Sequence, residues 1–301
     1  MTGASHPFDR RLVRIHRARA AAGFARHDFL FREVGERLLD RLDDVKRRFP
    51  LALDLGCHAG ELGGLLRGRG GIERLVQLDP AYGMARQAAQ ANAENMPAVV
   101  AEEEALPFAP ASFDLVLSNL SLHWANDLPG ALIQIRHALK PDGLMLAALL
   151  GGETLRELRA ALLEAELAES GGASPRVSPF VDIGDAPSLL QRAGFALTLV
   201  DRDDLAVTYP DALALMRDLR GMGESNALVT RRRSFSRRAL LARAAALYAQ
   251  RFALPDGRVP ALFQVVYLTG WAPHPAQPKP LKPGSATLRL ADALRDGDKE
   301  R

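Results

Sequence analysis

The chain has 301 residues, 48% of them hydrophobic and 25% charged, with a net charge of +3. These proportions suit a soluble globular protein with a buried core and exclude a low-complexity or disordered chain. The small positive excess gives no reason to expect nucleic acid. The longest apolar run, "LMLAALLGG", falls far short of the ~20 residues of a membrane-spanning helix. The single cysteine, Cys57, excludes an internal disulfide and fits a reducing, cytoplasmic compartment.

The N-terminal stretch "FDRRLVRIHRARAAAGFARHDF" has the arginine and alanine of a transit peptide. It also carries Asp9 and Asp28, which such peptides avoid, so it is read as part of the mature protein. From Phe29 to Phe49, Phe31, Val34, Leu38, Leu42 and Val45 recur at steps of three and four, which predicts one helical face. Residues 1–47 are thus expected to form an N-terminal helical segment. "LALDLG" is a short apolar run stopped by glycine, a buried strand. "GELGGLLRGRG" follows as a weak helix. "ERLVQLDP" is a second strand ending at Asp79, and "AYGMARQAAQANAE" a helix. "PAVVA" and "SFDLVLSNL" are the third and fourth strands. "DLPGALIQIRHALKPDG" is a helix with proline near its start and a Pro-Asp-Gly turn behind it, before a fifth strand, "LMLAALL". Strands alternating with helices predict parallel pairing with right-handed crossovers, and nearly continuous apolar strands predict a sheet covered on both faces. Residues 51–150 therefore read as a doubly wound, Rossmann-like α/β unit. Beyond it, "GETLRELRAALLEAELAES" is helical, "GFALTLVDRDD" and "FQVVYLTGW" are further strands, and a helical insert is expected at about 208–253. The segment 273–301 is too rich in proline to pack as a regular element.

In an open parallel sheet, ligands bind beyond the carboxyl ends of the strands. "DLGCHAG" lies at such an end, with Gly56 and Gly60 allowing close approach and Asp54 two residues before the first glycine. Asp79, ending the second strand, is placed to take both hydroxyls of a ribose. Further on come an acidic turn, "AEEEALPF", and "LKPDG" before the fifth strand. In combination these pieces resemble a class I methyltransferase, the S-adenosyl-L-methionine-binding fold, over residues 48–150. The domain is expected to run on to residue 272. The resemblance implies that Asp54, Gly56 and Gly60 shape a loop around the methionine part of the cofactor. It implies that Asp79 binds the ribose, Met84 packs on adenine, Glu102 accepts from the adenine amino group and Asn119 lies near the sulfonium. His58 departs from the pattern, which has glycine there. It is read as a loop residue tolerating positive φ or as a contact to cofactor or substrate.

Fold does not decide substrate. "FDRRLVR", "SLHWANDLP", "GGETLRELR", "RVSPF", "DLRGMGESN" and "GSATL" resemble the respiratory complex I assembly-factor family, described as arginine hydroxylases with a methyltransferase fold. The malonyl-carrier-protein methyltransferases of biotin synthesis are related. The first resemblance implies a protein substrate, a complex I subunit carrying an arginine, with a peripheral contact at the inner membrane allowed. The second implies O-methylation of a thioester on a carrier protein. An assembly chaperone without turnover is the third reading. The seven histidines are scattered, with no H-x-D pair, so no metal site is expected. His123 and Trp124, after the fourth strand, are read as packing or as a substrate contact, with Trp124 offering a face to a guanidinium. Glu224 in "GMGESN" is either part of a turn or the carboxylate that pairs with the arginine. "RRRSFSRR" at 231–238 is a solvated helix start or a surface for an acidic partner. Cys57 is read as a small buried filler.

Overall fold

The computed structural model describes residues 6–91, 96–170, 172–180 and 182–278. "GSATL" and the rest of the proline-rich segment beyond 278 lie outside the described residues.

Two helices come first, α1 (Arg10–Ala21) and α2 (Phe29–Asp43). The Asp9 side chain caps α1 by accepting from the Leu12 N–H. α2 turns Phe31, Val34, Leu38 and Leu42 onto the sheet, all of them buried. It stops at Asp43, short of the Phe49 limit that apolar spacing suggests. The doubly wound part follows as β1 (Leu51–Leu55), α3 (Glu61–Leu65), β2 (Arg74–Asp79), α4 (Tyr82–Ala91), β3 (Ala98–Val100), β4 (Phe113–Asn119), α5 (Leu128–Ala138) and β5 (Leu139–Leu150). The chain then forms α6 (Arg156–Ser170), α7 (Ala186–Arg192), β6 (Ala196–Tyr209), α8 (Ala212–Gly221), α9 (Arg238–Phe252) and β7 (Val259–Trp271). α8 and α9 fill the region read as a helical insert.

The seven strands make one sheet in the order β3-β2-β1-β4-β5-β7-β6. β1 to β5 pair in parallel. β7 runs antiparallel between β5 and β6. Apolar side chains pack on both faces. One core joins α2, α6, α8 and α9 to the sheet, and the other joins α5 and α7 to it, as nearly continuous apolar strands require. Strand order reverses between β1 and β4, which is where a sheet of this kind opens a crevice at its carboxyl end. The N-terminal segment is stitched over that end: Phe8 bridges Leu228, and the Asp9 N–H donates to the Ala227 carbonyl at 2.8 Å.

Candidate functional site

The loop after β1 is built as its glycines suggest. Gly56 has φ +76°, and a Cβ there would overlap the Ser121 side chain, so only glycine allows this approach between the loops after β1 and β4. Gly60, at φ +94°, opens α3. Asp54 is buried with both carboxylate oxygens unpartnered. Burial, and then the charges of Glu61 and Asp79, push its carboxyl well above the usual range. His58 stands at φ +47° with its ring turned inward. The ring stacks on Phe24 at 5.7 Å and meets Phe31 edge-on at 4.5 Å. Its Nε2 lies 3.3 Å from the Leu120 carbonyl. A carbonyl only accepts, so Nε2 carries the proton. Burial, with Arg17 adding to it, holds this imidazole down at about 3, so it is neutral.

Asp79 ends β2 as expected, but its partner is a side chain. Arg17 reaches in from α1 and is 1% exposed. Its Nη1 donates to Asp79 Oδ2 at 3.0 Å and to Glu103 Oε1 at 2.9 Å. Its Nη2 donates to Ser121 Oγ at 2.9 Å, and that hydroxyl donates to Glu103 Oε1 at 2.7 Å. Backbone N–H groups of His58 (3.2 Å) and Ala81 (2.8 Å) complete the Asp79 carboxylate. The two acids differ. Burial raises both, but for Glu103 the charges of Arg17 and Arg10 and the Ser121 hydroxyl outweigh it and hold the group at about 2. Burial wins for Asp79, with Glu103's charge opposing Arg17, and sets it at about 6.

The other expected contacts divide. Glu102 turns to Arg10, whose Nη2 donates to it at 2.6 Å, and it is Glu103 that faces inward. Arg10 also pairs with Glu103 and donates to the Trp124 carbonyl. Asn119 donates from Nδ2 to the Phe31 carbonyl at 2.7 Å and packs against α2. Met84 is fully buried in the core with Phe24 and Ala81. Asp54, Gly56, His58 and Asp79 thus meet at one place, whereas Glu102 and Asn119 are engaged elsewhere. Sequence reading missed Arg17, Glu103 and Ser121. A signal was present: Arg10, Arg14 and Arg17 recur at steps of four and three, one helical face, and Glu102, Glu103 and Glu104 are their counter-charges.

A second cluster adjoins the first. His123 and Trp124 form a short turn after β4, and Glu224 lies on the loop after α8. Glu224 Oε2 is 3.1 Å from His123 Nε2, and the Trp124 indole N–H donates to it at 3.0 Å. Gly223, at φ +82°, lets this loop press on α1: a Cβ there would lie 3.3 Å from the Arg17 Cα. Burial pushes Glu224 up, but His123, Arg17 and the indole outweigh it and hold the carboxylate below its ordinary value. Glu224 and Trp124 line a cavity of about 230 Å³ with Leu30, Met222, Phe180 and Arg176. Arg176 is matched by Glu166 at 2.9 and 2.8 Å. Across the same loop lies a cavity of about 680 Å³ edged by Arg19, Arg26, Arg217 and Arg220. None of these four has an ion-pair partner among the described residues. Among the described residues no three His, Cys, Asp or Glu side chains are grouped to hold a metal.

The sequence pattern of the family described as "Methyltransferase domain" matches residues 53–147. Over 294 residues the chain is 46% identical to the arginine hydroxylase NDUFAF5, mitochondrial, of Danio rerio, covering 96% of this chain and 90% of that protein. The chain belongs to the NDUFAF5 family. Human NDUFAF5 is 44% identical over 95% of this chain and 82% of its own length. The malonyl-[acyl-carrier protein] O-methyltransferase of Methylovorus sp. is 36% identical over 91% of this chain and 93% of its own. Among solved structures, YcgJ of Bacillus subtilis superimposes with a TM-score of 0.55 at 15% identity, over 79% of this chain and 99% of that one. Phosphoethanolamine N-methyltransferase 2 of Haemonchus contortus, in complex with S-adenosyl-L-methionine, gives 0.52 at 15% identity, over 84% and 57%. This likeness extends to the fold alone, a class I methyltransferase sheet.

In this NDUFAF5 relative the side chains do not fit S-adenosyl-L-methionine as they stand. The acid that would accept from the ribose already accepts three N–H hydrogen bonds, from Arg17, His58 and Ala81. The Arg17 guanidinium lies between Asp79, Glu103 and Ser121, and the His58 ring of the glycine loop packs on Phe24 and Phe31 with Nε2 on the Leu120 carbonyl. Unmatched acceptors remain on Asp54, on Asn119 at Oδ1 and on His58 at Nδ1.

Proposed function

We propose that this chain hydroxylates an arginine side chain of a protein subunit of respiratory complex I, in the cytoplasm beside the inner membrane. The observation that carries the reading is Glu224: a buried carboxylate fixed by His123 and Trp124 on the wall of a cavity lined mostly by leucine, methionine and phenylalanine, where Arg176 is the other charged residue. An arginine is cationic at any accessible pH and wants a carboxylate for its fork of N–H groups, an aromatic face and an apolar channel for its stem. The cavity offers all three. The basic edge across the loop gives a protein with an acidic patch a surface to dock on. Near-full-length identity to arginine hydroxylases agrees with this. In this arrangement Glu224 binds and orients the guanidinium, His123 holds Glu224 through Nε2, and the apolar wall keeps water out. S-adenosyl-L-methionine, expected from the glycine loop, has no step here.

A second reading, methyl transfer to a malonyl thioester on a carrier protein, has one observation in its favour. Arg176 lines the same cavity and could face an anion. Its pairing with Glu166 leaves that cation compensated, so the cavity favours a positive guest. The test is the mass of each complex I subunit from cells with and without this protein. Hydroxylation inserts one atom of dioxygen into one arginine C–H bond and releases the other as water, the two balancing electrons coming from an external reductant. A subunit that gains a methyl group, or that has the same mass in both, sinks the proposal.

A further inference from the structure

The crevice at the reversal of strand order is the one place where loops from β1, β2, β3 and β4 converge. In this chain one guanidinium reaches three of them: Asp79 after β2, Glu103 after β3 and Ser121 after β4. His58 closes the fourth, with its backbone N–H on Asp79 and its ring on the Leu120 carbonyl. Between them they supply the donors that a ribose diol and a ligand's nitrogen atoms would bring to these acceptors. We propose that Arg17 and His58 fill the cofactor position of the fold from within, so that S-adenosyl-L-methionine does not bind to the chain as it stands.

Three features make this closure a property of the sequence and not a passing pose of one side chain. First, Arg17 is as buried as the core, and its departure would leave Asp79 and Glu103 facing each other without the cation between them. Second, α1 is fastened at several further points. Arg10 holds Glu102, Glu103 and the Trp124 carbonyl, Phe8 bridges Leu228 and packs edge-on against Trp124 at 5.1 Å, and Arg231 pairs with Asp9. Opening the site means lifting this strap, and a ligand that needs a rarely populated open state loses affinity by that fraction. Third, His58 sits on a left-handed backbone with its ring held between Phe24 and Phe31, so no rotamer change alone empties the loop.

The test is calorimetric titration of S-adenosyl-L-methionine and S-adenosylhomocysteine into the purified full chain, into His58→Gly, into Arg17→Met and into the double variant. The wild type is expected to give no binding heat up to about 1 mM ligand, and the double variant to bind at least ~100-fold more tightly. Micromolar binding by the wild type would overturn the proposal. A double variant that melts cooperatively yet binds no better than wild type would overturn it as well. If the double variant does not fold, His58→Gly alone is expected to bind more tightly than wild type, and equal affinity counts against the block. Hydrogen exchange of the wild type supplies an independent reading. Residues 10–21 are expected to exchange equally with and without ligand, and ligand-dependent exchange there counts against the proposal.

Discussion

Replacing Arg17 by methionine tests the buried ion cluster by its energetics. Methionine keeps much of the aliphatic stem and deletes the guanidinium, which is 1% exposed and 3.0 and 2.9 Å from two carboxylates. Neither acid is left bare: Asp79 keeps two backbone N–H groups, and Glu103 keeps Arg10 and Ser121. Removing one member of a buried pair costs about 3–5 kcal/mol, and the remaining partners set the expectation at the low end, about 3 kcal/mol. The assay is urea unfolding followed by circular dichroism, with the slope against denaturant unchanged. The pH dependence carries a sign. Asp79 already sits at about 6 in the folded state against 3.8 for the unconstrained group, so the folded protein takes up this proton first. Without Arg17 it does so more readily, and the variant's deficit shrinks between about pH 7 and about pH 5. A loss below about 1 kcal/mol, or a deficit that grows on acidification, would refute the reasoning.

Gly56→Ala combines a positive φ with a Cβ that overlaps Ser121 and is expected to lose roughly 2–5 kcal/mol in the same unfolding assay; a loss under about 1 kcal/mol would mean the loops do not approach so closely. His58 titrates at about 3 when folded against 6.5 when free, so it stabilises the fold above 6.5 and that contribution is lost as pH falls through this window. His58→Gly should therefore flatten the dependence of stability on pH there, and an unchanged slope would contradict a buried neutral imidazole. Glu224→Gln should weaken an arginine-bearing substrate peptide by ~1–3 kcal/mol in fluorescence titration, with the fold intact by circular dichroism; unchanged affinity would remove Glu224 from the site.

The central fold was legible because its signals are local. Nearly continuous apolar runs at 51–55 and 113–119, glycine after the first and Asp79 at the end of the second strand each fixed an element without reference to distant residues. The insertion of β7 between β5 and β6 left no such mark, since antiparallel pairing between residues 50 to 127 positions apart has no local pattern. The site divided in the same way. Asp54, Gly56 and Asp79 are set by strand ends and were placed from the sequence. Which of Glu102, Glu103 and Glu104 turns inward depends on the backbone of one irregular turn, where a shift of one residue reverses the direction. In the sequence Arg17 is only one of several arginines in the N-terminal helical segment. Its burial follows from α1 lying across the carboxyl end of the sheet, a tertiary fact that the spacing of Arg10, Arg14 and Arg17 opposite three acids hints at only when the two segments are read together.

The most direct test of the account is a crystal structure of the full chain grown in an excess of S-adenosylhomocysteine. The Arg17 guanidinium is expected between Asp79 and Glu103 and the His58 ring against Phe24, with no nucleoside density above the glycine loop. A nucleoside whose ribose rests on Asp79, with α1 swung away, would contradict it.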